Sequence, residues 1–191
     1  MAVQSFMLPL GTAMPGFTLP DTVSGRPVSS TELQGKPSVV IFICNHCPYV
    51  LHIRAGLADF GRWCQQQGVG MVAISSNDIV TYPADAPALM TTEARTAGYV
   101  FPYLFDESQA VARAFRAACT PDLYIFDAAG KLAYRGQFDD SRPKNTAPVT
   151  GKDARDAVSA LLGGQAPAAT QKASIGCGIK WKPGNDPNET A

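Results

Sequence analysis

The chain has 191 residues, a length that suits one compact domain with a hydrophobic core. Apolar residues make up 46% and charged residues 17%, and 16 basic side chains balance 16 acidic ones, which argues against a disordered chain and against a nucleic-acid-binding protein with a basic surface. The longest apolar run, residues 39–44, is far shorter than the roughly 18 residues that indicate a membrane span.

The N-terminal segment does not have the pattern of a secretory signal. Its first basic residue is Arg26, and Pro9 and Pro15 interrupt the residues before it. The five cysteines are an odd number in a chain of this length, which does not indicate a disulfide scaffold. We therefore expect a cytoplasmic protein whose cysteines are catalytic, metal-binding or plain core thiols.

The first half of the chain predicts a hairpin and then a βαβ unit. Residues 17–28 contain two short extended pieces around a polar turn. Residues 38–44 are a continuous β-branched run, typical of a strand buried on both faces of a sheet. Apolar residues then recur at helical spacing over 48–67, and residues 69–75 resume an apolar strand. The two strands should be parallel, with a right-handed crossover between them.

The second half predicts further helices and an antiparallel hairpin, so the sheet should be mixed. The predicted elements are a helix over 88–97, a strand over 101–104, a helix over 108–117, a hairpin of 123–126 with 132–135, and a last helix over 152–162. Beyond residue 163 the composition shifts to Ala, Pro, Gly, Lys and Asn. We expect a domain over 1–163 and an extended C-terminal arm over 164–191, without a core of its own.

The residues with the clearest chemistry are Cys44-Asn45-His46-Cys47-Pro48, between the central strand and its helix. Two thiols separated by two residues can close a disulfide within one turn. We expect Cys44 to project from the helix N-terminus, where unpaired N–H groups and the helix dipole favour a thiolate. A protonated His46 beside it would stabilise the reduced form and make the disulfide more oxidising.

The order of elements, this motif, and Thr120-Pro121 before the strand at 123–126 resemble the thioredoxin fold. Residues 10–140, with the tail segment 174–182, are more closely similar to the redoxin branch, the alkyl hydroperoxide reductase and thiol-specific antioxidant (AhpC/TSA) family. The resemblance implies an α/β thioredoxin fold with an N-terminal β-hairpin, a mixed sheet flanked by helices, and an antioxidant or oxidoreductase activity. It also implies that Pro121 is a cis proline facing the dithiol, and that Thr120 offers its backbone to a bound peptide or disulfide.

The sequence departs from the patterns of both thioredoxins and peroxiredoxins, and Ile43 stands where thioredoxins carry a Trp. If Cys47-Pro48 is matched to the peroxidatic Cys-Pro, Cys44 stands where a Thr is expected and Pro121 falls near the position of an Arg. Ser38 replaces the buried Asp that thioredoxins carry six residues before the first cysteine. Because both groups that polarise a peroxide are missing, the comparison favours disulfide exchange over peroxide reduction.

Three functions follow from these residues. In the first, Cys44 attacks the disulfide of a protein or small-molecule substrate, Cys47 resolves the mixed disulfide, and a reducing partner restores the dithiol without any bound cofactor. The second is a thiol peroxidase. The third is a non-catalytic module whose dithiol holds Cu(I) or zinc. No second C-x-x-C or H-x₃-H follows, so a structural zinc site is disfavoured.

The other cysteines have weaker signals. Cys64 falls on the apolar stripe of the predicted helix and is expected to be a core thiol. Cys119, two residues before Pro121, is either close to the dithiol or a small buried hydrophobe. Cys177 lies in the predicted arm, where it is either a relay thiol that attacks Cys44 or Cys47, or an idle tail residue.

Overall fold

The structure, a computed structural model, describes residues 2–187. The strands are β1 (Ala2–Gln4), β2 (Thr18–Pro20), β3 (Pro27–Ser29), β4 (Ser38–Phe42), β5 (Gly70–Ser75), β6 (Tyr103–Phe105), β7 (Cys119–Thr120), β8 (Asp122–Phe126), β9 (Leu132–Gly136) and β10 (Ile175–Gly178). The α-helices are α1 (Pro48–Gln66), α2 (Pro87–Ala97), α3 (Ala110–Ala114) and α4 (Lys152–Leu162).

The central sheet is five-stranded, in the order β6-β5-β4-β8-β9. β4 pairs parallel with β5, and β5 pairs parallel with β6. β8 and β9 extend the other side as antiparallel strands. β4 is buried along its whole length because it lies in the middle of the sheet and both faces are covered. The predicted βαβ unit, the hairpin of β8 and β9, and the mixed sheet are confirmed.

Helices cover the two faces of the sheet unequally. One face packs against α1, α2 and α4, and the other against α3 and the hairpin of β2 and β3. α1 begins at Pro48, whose fixed φ suits a first helical position, and its buried stripe faces the sheet. That stripe includes Val50, Ile53, Leu57, Phe60 and Cys64. No helix within residues 2–187 combines the length and apolar character needed to cross a membrane.

Helix α3 is shorter than the sequence predicts. The apolar spacing predicts a helix over 108–117, but α3 spans Ala110–Ala114. Gln109 and Arg116, on either side of it, have φ values of 61° and 50°, in the left-handed region that breaks an α-helix. The helical spacing of apolar residues continues beyond the helix because Phe115 still packs into the core.

A second, three-stranded sheet in the order β1-β10-β7 was not predicted from the sequence. Both pairings are antiparallel, and they bring residues near the two ends of the chain together. Within the expected arm, residues 175–178 are therefore an ordered strand, and Ile179 is buried in the core. The boundary near residue 163 stays a prediction.

Candidate active site at the end of the central strand

The dithiol lies where the sequence predicts it, between β4 and α1. Cys44 comes two residues after the end of β4, and Cys47 is the N-cap residue of α1. Both are free thiols, and their residues are only 1% and 0% exposed. The sulfurs are therefore sealed beneath the surface in this conformation.

Several groups converge on the sulfur of Cys47. The Cys44 thiol, the Thr120 side chain and the backbone N–H groups of Val50 and Cys177 all hydrogen-bond to it. The Cys44 hydrogen bond is the largest cause, and together these donors outweigh burial and lower the pKa of Cys47 to about 4. When Cys47 is protonated, its S–H donates instead to the Thr120 carbonyl oxygen, 3.1 Å away.

The pKa of Cys44 is shifted in the opposite direction. Its hydrogen bond to Cys47 is the main cause of a strongly raised pKa, and burial and the negative charge of Asp85 act in the same direction. The sequence predicts a thiolate on Cys44, which stays a prediction, and the directions of these two shifts favour Cys47 instead. Cys47, not Cys44, occupies the N-cap of α1, so the helix N–H groups stabilise charge on the second cysteine.

The pH dependence of the thiolate follows from this arrangement. We expect the reduced protein to gain one thiolate with a midpoint near pH 4, because the pKa of Cys47 is lowered to about 4. Ultraviolet thiolate absorbance, followed during a pH titration, checks this. The step should vanish in Cys47→Ser and persist in Cys64→Ala, because Cys64 is a core thiol with a pKa raised by burial to about 12. A single step near the ordinary thiol value of about 8.5 would contradict the assignment.

Thr120 lies between the two sulfurs. Its hydroxyl oxygen is 3.5 Å from Cys44 Sγ, and its carbonyl oxygen is 3.1 Å from Cys47 Sγ. The Thr120-Pro121 peptide bond is cis, as the resemblance implies. The Thr120 backbone, however, already has a partner, because Thr120 pairs with Cys177 of β10. The edge expected to receive a peptide is occupied by a strand of the same chain.

His46 is oriented by a buried carboxylate. Its Nδ1 lies 2.8 Å from Oδ2 of Asp85, and its ring stacks on Tyr82 at a centroid distance of 5.5 Å. Asp85 is fully buried and also accepts hydrogen bonds of 2.8 Å from the Asn45 backbone N–H and the Asn77 side chain. His46 is therefore beside Cys44, the cysteine whose pKa is raised.

Asp85 is the residue of this site that the sequence analysis missed. It lies 41 positions beyond Cys44 in a proline-rich loop, and no motif marks it. One signal was available, because this loop follows β5, and the carboxyl ends of parallel neighbours such as β4 and β5 meet at the same edge of a sheet. Asp85 supplies a buried acid near the dithiol, although Ser38 stands at the thioredoxin position.

Cys44, His46 and Asp85 form a group that could hold a metal ion. Their ligand atoms all lie within 4.8 Å of one another. A thiolate, an imidazole and a carboxylate suit zinc, and the thiolate and imidazole also suit copper. Both Asp85 oxygens already accept hydrogen bonds, however, so metal binding would compete with the contacts that position Asn45 and Asn77.

The remaining cysteines differ in their burial and in their contacts with the dithiol. Cys64 is buried in the core beneath α1, as predicted. Cys119 is fully buried, its thiol donates to the Pro121 carbonyl oxygen at 3.5 Å, and burial together with Asp122 raises its pKa strongly. Cys177 is only partly buried, and its thiol hydrogen-bonds to Cys47. The structure thus brings Cys44, Cys47 and Cys177 together and keeps Cys119 as a protonated thiol.

Comparisons with known proteins agree with this architecture. The model of the AhpC/TSA family matches residues 10–135. An uncharacterized conserved protein from Geobacillus kaustophilus is 49% identical, with a TM-score of 0.94 over 96% of this chain and 97% of that chain. A hypothetical protein from Sinorhizobium meliloti 1021 is 45% identical, with a TM-score of 0.92 over 95% of this chain and 99% of that chain.

More distant structures share the fold. A thiol:disulfide interchange protein of the thioredoxin family from Chlorobium tepidum TLS is 20% identical, with a TM-score of 0.62 over 80% of this chain and 97% of that chain. The predicted thioredoxin-like fold is confirmed. The search of curated proteins found no match.

Proposed function

The chain belongs to the AhpC/TSA family, and from this premise we propose that it is a thiol-disulfide oxidoreductase with Cys44 and Cys47 as its reacting pair. One observation carries the proposal: two free thiols, hydrogen-bonded to each other, lie at the N-terminus of α1. This is the arrangement that disulfide exchange requires, because the thiolate attacks and the thiol then resolves. The disulfide chemistry in the name of the Chlorobium tepidum protein supports the same class of reaction.

We propose a role for each sulfur. The Cys47 thiolate attacks one sulfur of a substrate disulfide, which forms a mixed disulfide and releases the other sulfur as a thiolate. Cys44 gives its proton to that leaving thiolate and attacks Cys47 Sγ. This second exchange forms the Cys44–Cys47 disulfide and releases the remaining substrate sulfur as a thiolate, which takes a proton from solvent. The substrate disulfide gains two electrons, and a reducing partner with free thiols later returns two electrons to the protein.

Peroxide reduction is the second candidate, because a thiolate in the first turn of a helix also attacks hydroperoxides. Peroxide reduction ranks below disulfide exchange because of the groups that surround Cys47. The largest causes that lower its pKa are thiol, hydroxyl and backbone donors rather than a cation. Such a cation would help to polarise the O–O bond and stabilise the leaving hydroxide.

A quenched reaction tests the proposal directly. We expect fully reduced protein, mixed with one equivalent of glutathione disulfide, to give the Cys44–Cys47 disulfide, with a glutathione adduct on Cys47 as the earlier species. Acid quenching within a second and mass mapping of each cysteine measure both. Hydrogen peroxide in a parallel sample should react more slowly.

Two other outcomes would replace the proposal. Faster oxidation by peroxide than by the disulfide would make the protein a peroxidase. Metal analysis of protein purified without chelator could instead find one bound ion per chain. If Asp85→Asn loses that ion, the result would favour a metal-binding module at Cys44, His46 and Asp85. Cys64→Ala serves as the control variant in each sample, because its thiol lies in the core under α1.

A further inference from the structure

Strand β10 lies directly over the reacting pair. It runs antiparallel to β7, with Cys177 opposite Thr120 and Gly178 opposite Cys119. Its other edge pairs with β1, where Ala2 is opposite Cys177. Thr120 is also the residue that touches both sulfurs, so Cys177 is placed against the dithiol by a defined strand register.

The approach of β10 to this site depends on the absence of a side chain at Gly176. A Cβ there would lie 1.9 Å from the Thr120 carbonyl oxygen and 3.0 Å from the nitrogen of Pro121. Any other residue would push the strand away from the cis-proline segment. The close contact of β10 with the dithiol is thus specified by the sequence.

The three thiols of this cluster differ in their access to solvent. Cys44 and Cys47 are 1% and 0% exposed, whereas Cys177 is partly exposed. The Cys177 thiol and its backbone N–H both hydrogen-bond to Cys47. A disulfide between Cys44 and Cys47 would therefore be out of reach of a folded protein dithiol while β10 is in place, and Cys177 is in contact with one of its sulfurs.

We propose that Cys177 is a relay thiol, through which the buried disulfide formed in the proposed function is passed to the surface for reduction. The Cys177 thiolate attacks Cys47 Sγ, which breaks the Cys44–Cys47 bond, forms a Cys47–Cys177 disulfide and leaves a Cys44 thiolate that takes up a proton. An external dithiol then attacks Cys177 Sγ and releases the Cys47 thiolate. The second thiol of that reductant closes its own disulfide and frees Cys177, so two electrons enter the protein.

The charge on Cys47 sets the order of these steps. In the reduced protein, burial and the neighbouring Cys47 thiolate raise the pKa of Cys177 to about 11, and Lys180 opposes them. Oxidation to the Cys44–Cys47 disulfide removes the negative charge of Cys47, while Lys180 remains. The pKa of Cys177 then falls, so its thiolate becomes available when there is a disulfide to attack. The lowered pKa of Cys47 also makes it the better leaving group in the last exchange.

A reduction experiment tests the relay. Oxidised wild type, Cys177→Ser and Cys64→Ala are mixed with thioredoxin as a protein dithiol, and the loss of the Cys44–Cys47 disulfide is followed by acid quenching and mass mapping. We expect reduction of Cys177→Ser to be at least about tenfold slower than that of the other two, because the protein reductant cannot reach a buried disulfide. In Cys44→Ser, one equivalent of glutathione disulfide should yield a Cys47–Cys177 disulfide.

The results separate the relay from the proposed function. Equal reduction rates for wild type and Cys177→Ser, or a Cys44→Ser protein that retains its adduct without a Cys47–Cys177 bond, would overturn the relay. Neither result changes the formation of Cys44–Cys47 in wild type, which tests the oxidoreductase itself. If wild type never forms that disulfide, the proposed function fails first.

Discussion

Replacing Cys47 by serine is expected to abolish disulfide exchange, whereas Cys44→Ser should still attack a disulfide and form an adduct that Cys44 can no longer resolve. Cys47 carries the thiolate, with a pKa of about 4, and a serine hydroxyl is not ionised at neutral pH. The rate of attack on glutathione disulfide should fall by about a thousandfold or more, as is usual when a nucleophile is removed. Rapid acid quenching, followed by determination of the intact mass of the protein, measures the rate of attack.

The trapped species identifies the attacking sulfur. In the double variant Cys44→Ser with Cys177→Ser, both neighbouring thiols that could resolve an adduct on Cys47 are absent, so the mixed disulfide should accumulate to one per chain. The single Cys44→Ser variant should hold less of it, because Cys177 remains. A stable adduct on Cys44 in Cys47→Ser would instead restore the role that the sequence suggests for the first cysteine. Cys64→Ala should react like wild type.

Much of the architecture is visible in the sequence because local signals agree with it. The β-branched run at 38–44 can bury both faces only inside a sheet, and Pro48 marks the start of the helix that follows. These two signals also place the C-x-x-C motif at the end of the central strand. The α4 helix is predicted with the bounds that it has, because its apolar spacing ends at the Gly163-Gly164 pair.

The distribution of charge at the site could not be predicted in the same way. It depends on which cysteine is the N-cap, and the residue-level end of a helix is the least certain part of a sequence prediction. It also depends on Asp85. The loop that carries Asp85 folds so that its side chain lies near the dithiol, and no local sequence pattern predicts this conformation. A buried carboxylate on the Cys44 side and helix N–H groups on the Cys47 side together reverse the expected polarity.

The ordered strand in the C-terminal segment could not be predicted, for a related reason. Residues 164–191 are rich in Ala, Pro, Gly and Lys, a composition that predicts little structure. Strand β10 is ordered by partners distant in sequence, β1 and β7, and by the fit of Gly176 against Thr120. Pairings of this kind between distant segments leave no periodic signal in the strand itself. The Gly-Cys-Gly sequence at 176–178 becomes informative only when its neighbours are known.

Gly176→Ala is expected to displace β10 from the dithiol. Its new Cβ would lie 1.9 Å from the Thr120 carbonyl oxygen, a backbone atom that cannot rotate away, so the strand must move. We expect Cys47 in the reduced variant to react with a bulky maleimide at least about tenfold faster, because burial is the main barrier to modification of a thiolate. Mass mapping of the labelled cysteine, together with hydrogen exchange over residues 175–178, measures both effects.

Gly178→Ala is the matched control in the same strand. Its Cβ would meet a methyl group of Val3 at 3.3 Å and the Ala118 carbonyl oxygen at 3.9 Å, contacts that a small side-chain shift accommodates. We expect its Cys47 to stay protected and its β10 amides to exchange slowly. If Gly176→Ala behaves like this control, the contact between β10 and Thr120 does not seal the dithiol. If only Gly176→Ala exposes Cys47, one glycine holds both the cover over the thiolate and the position from which Cys177 reaches it.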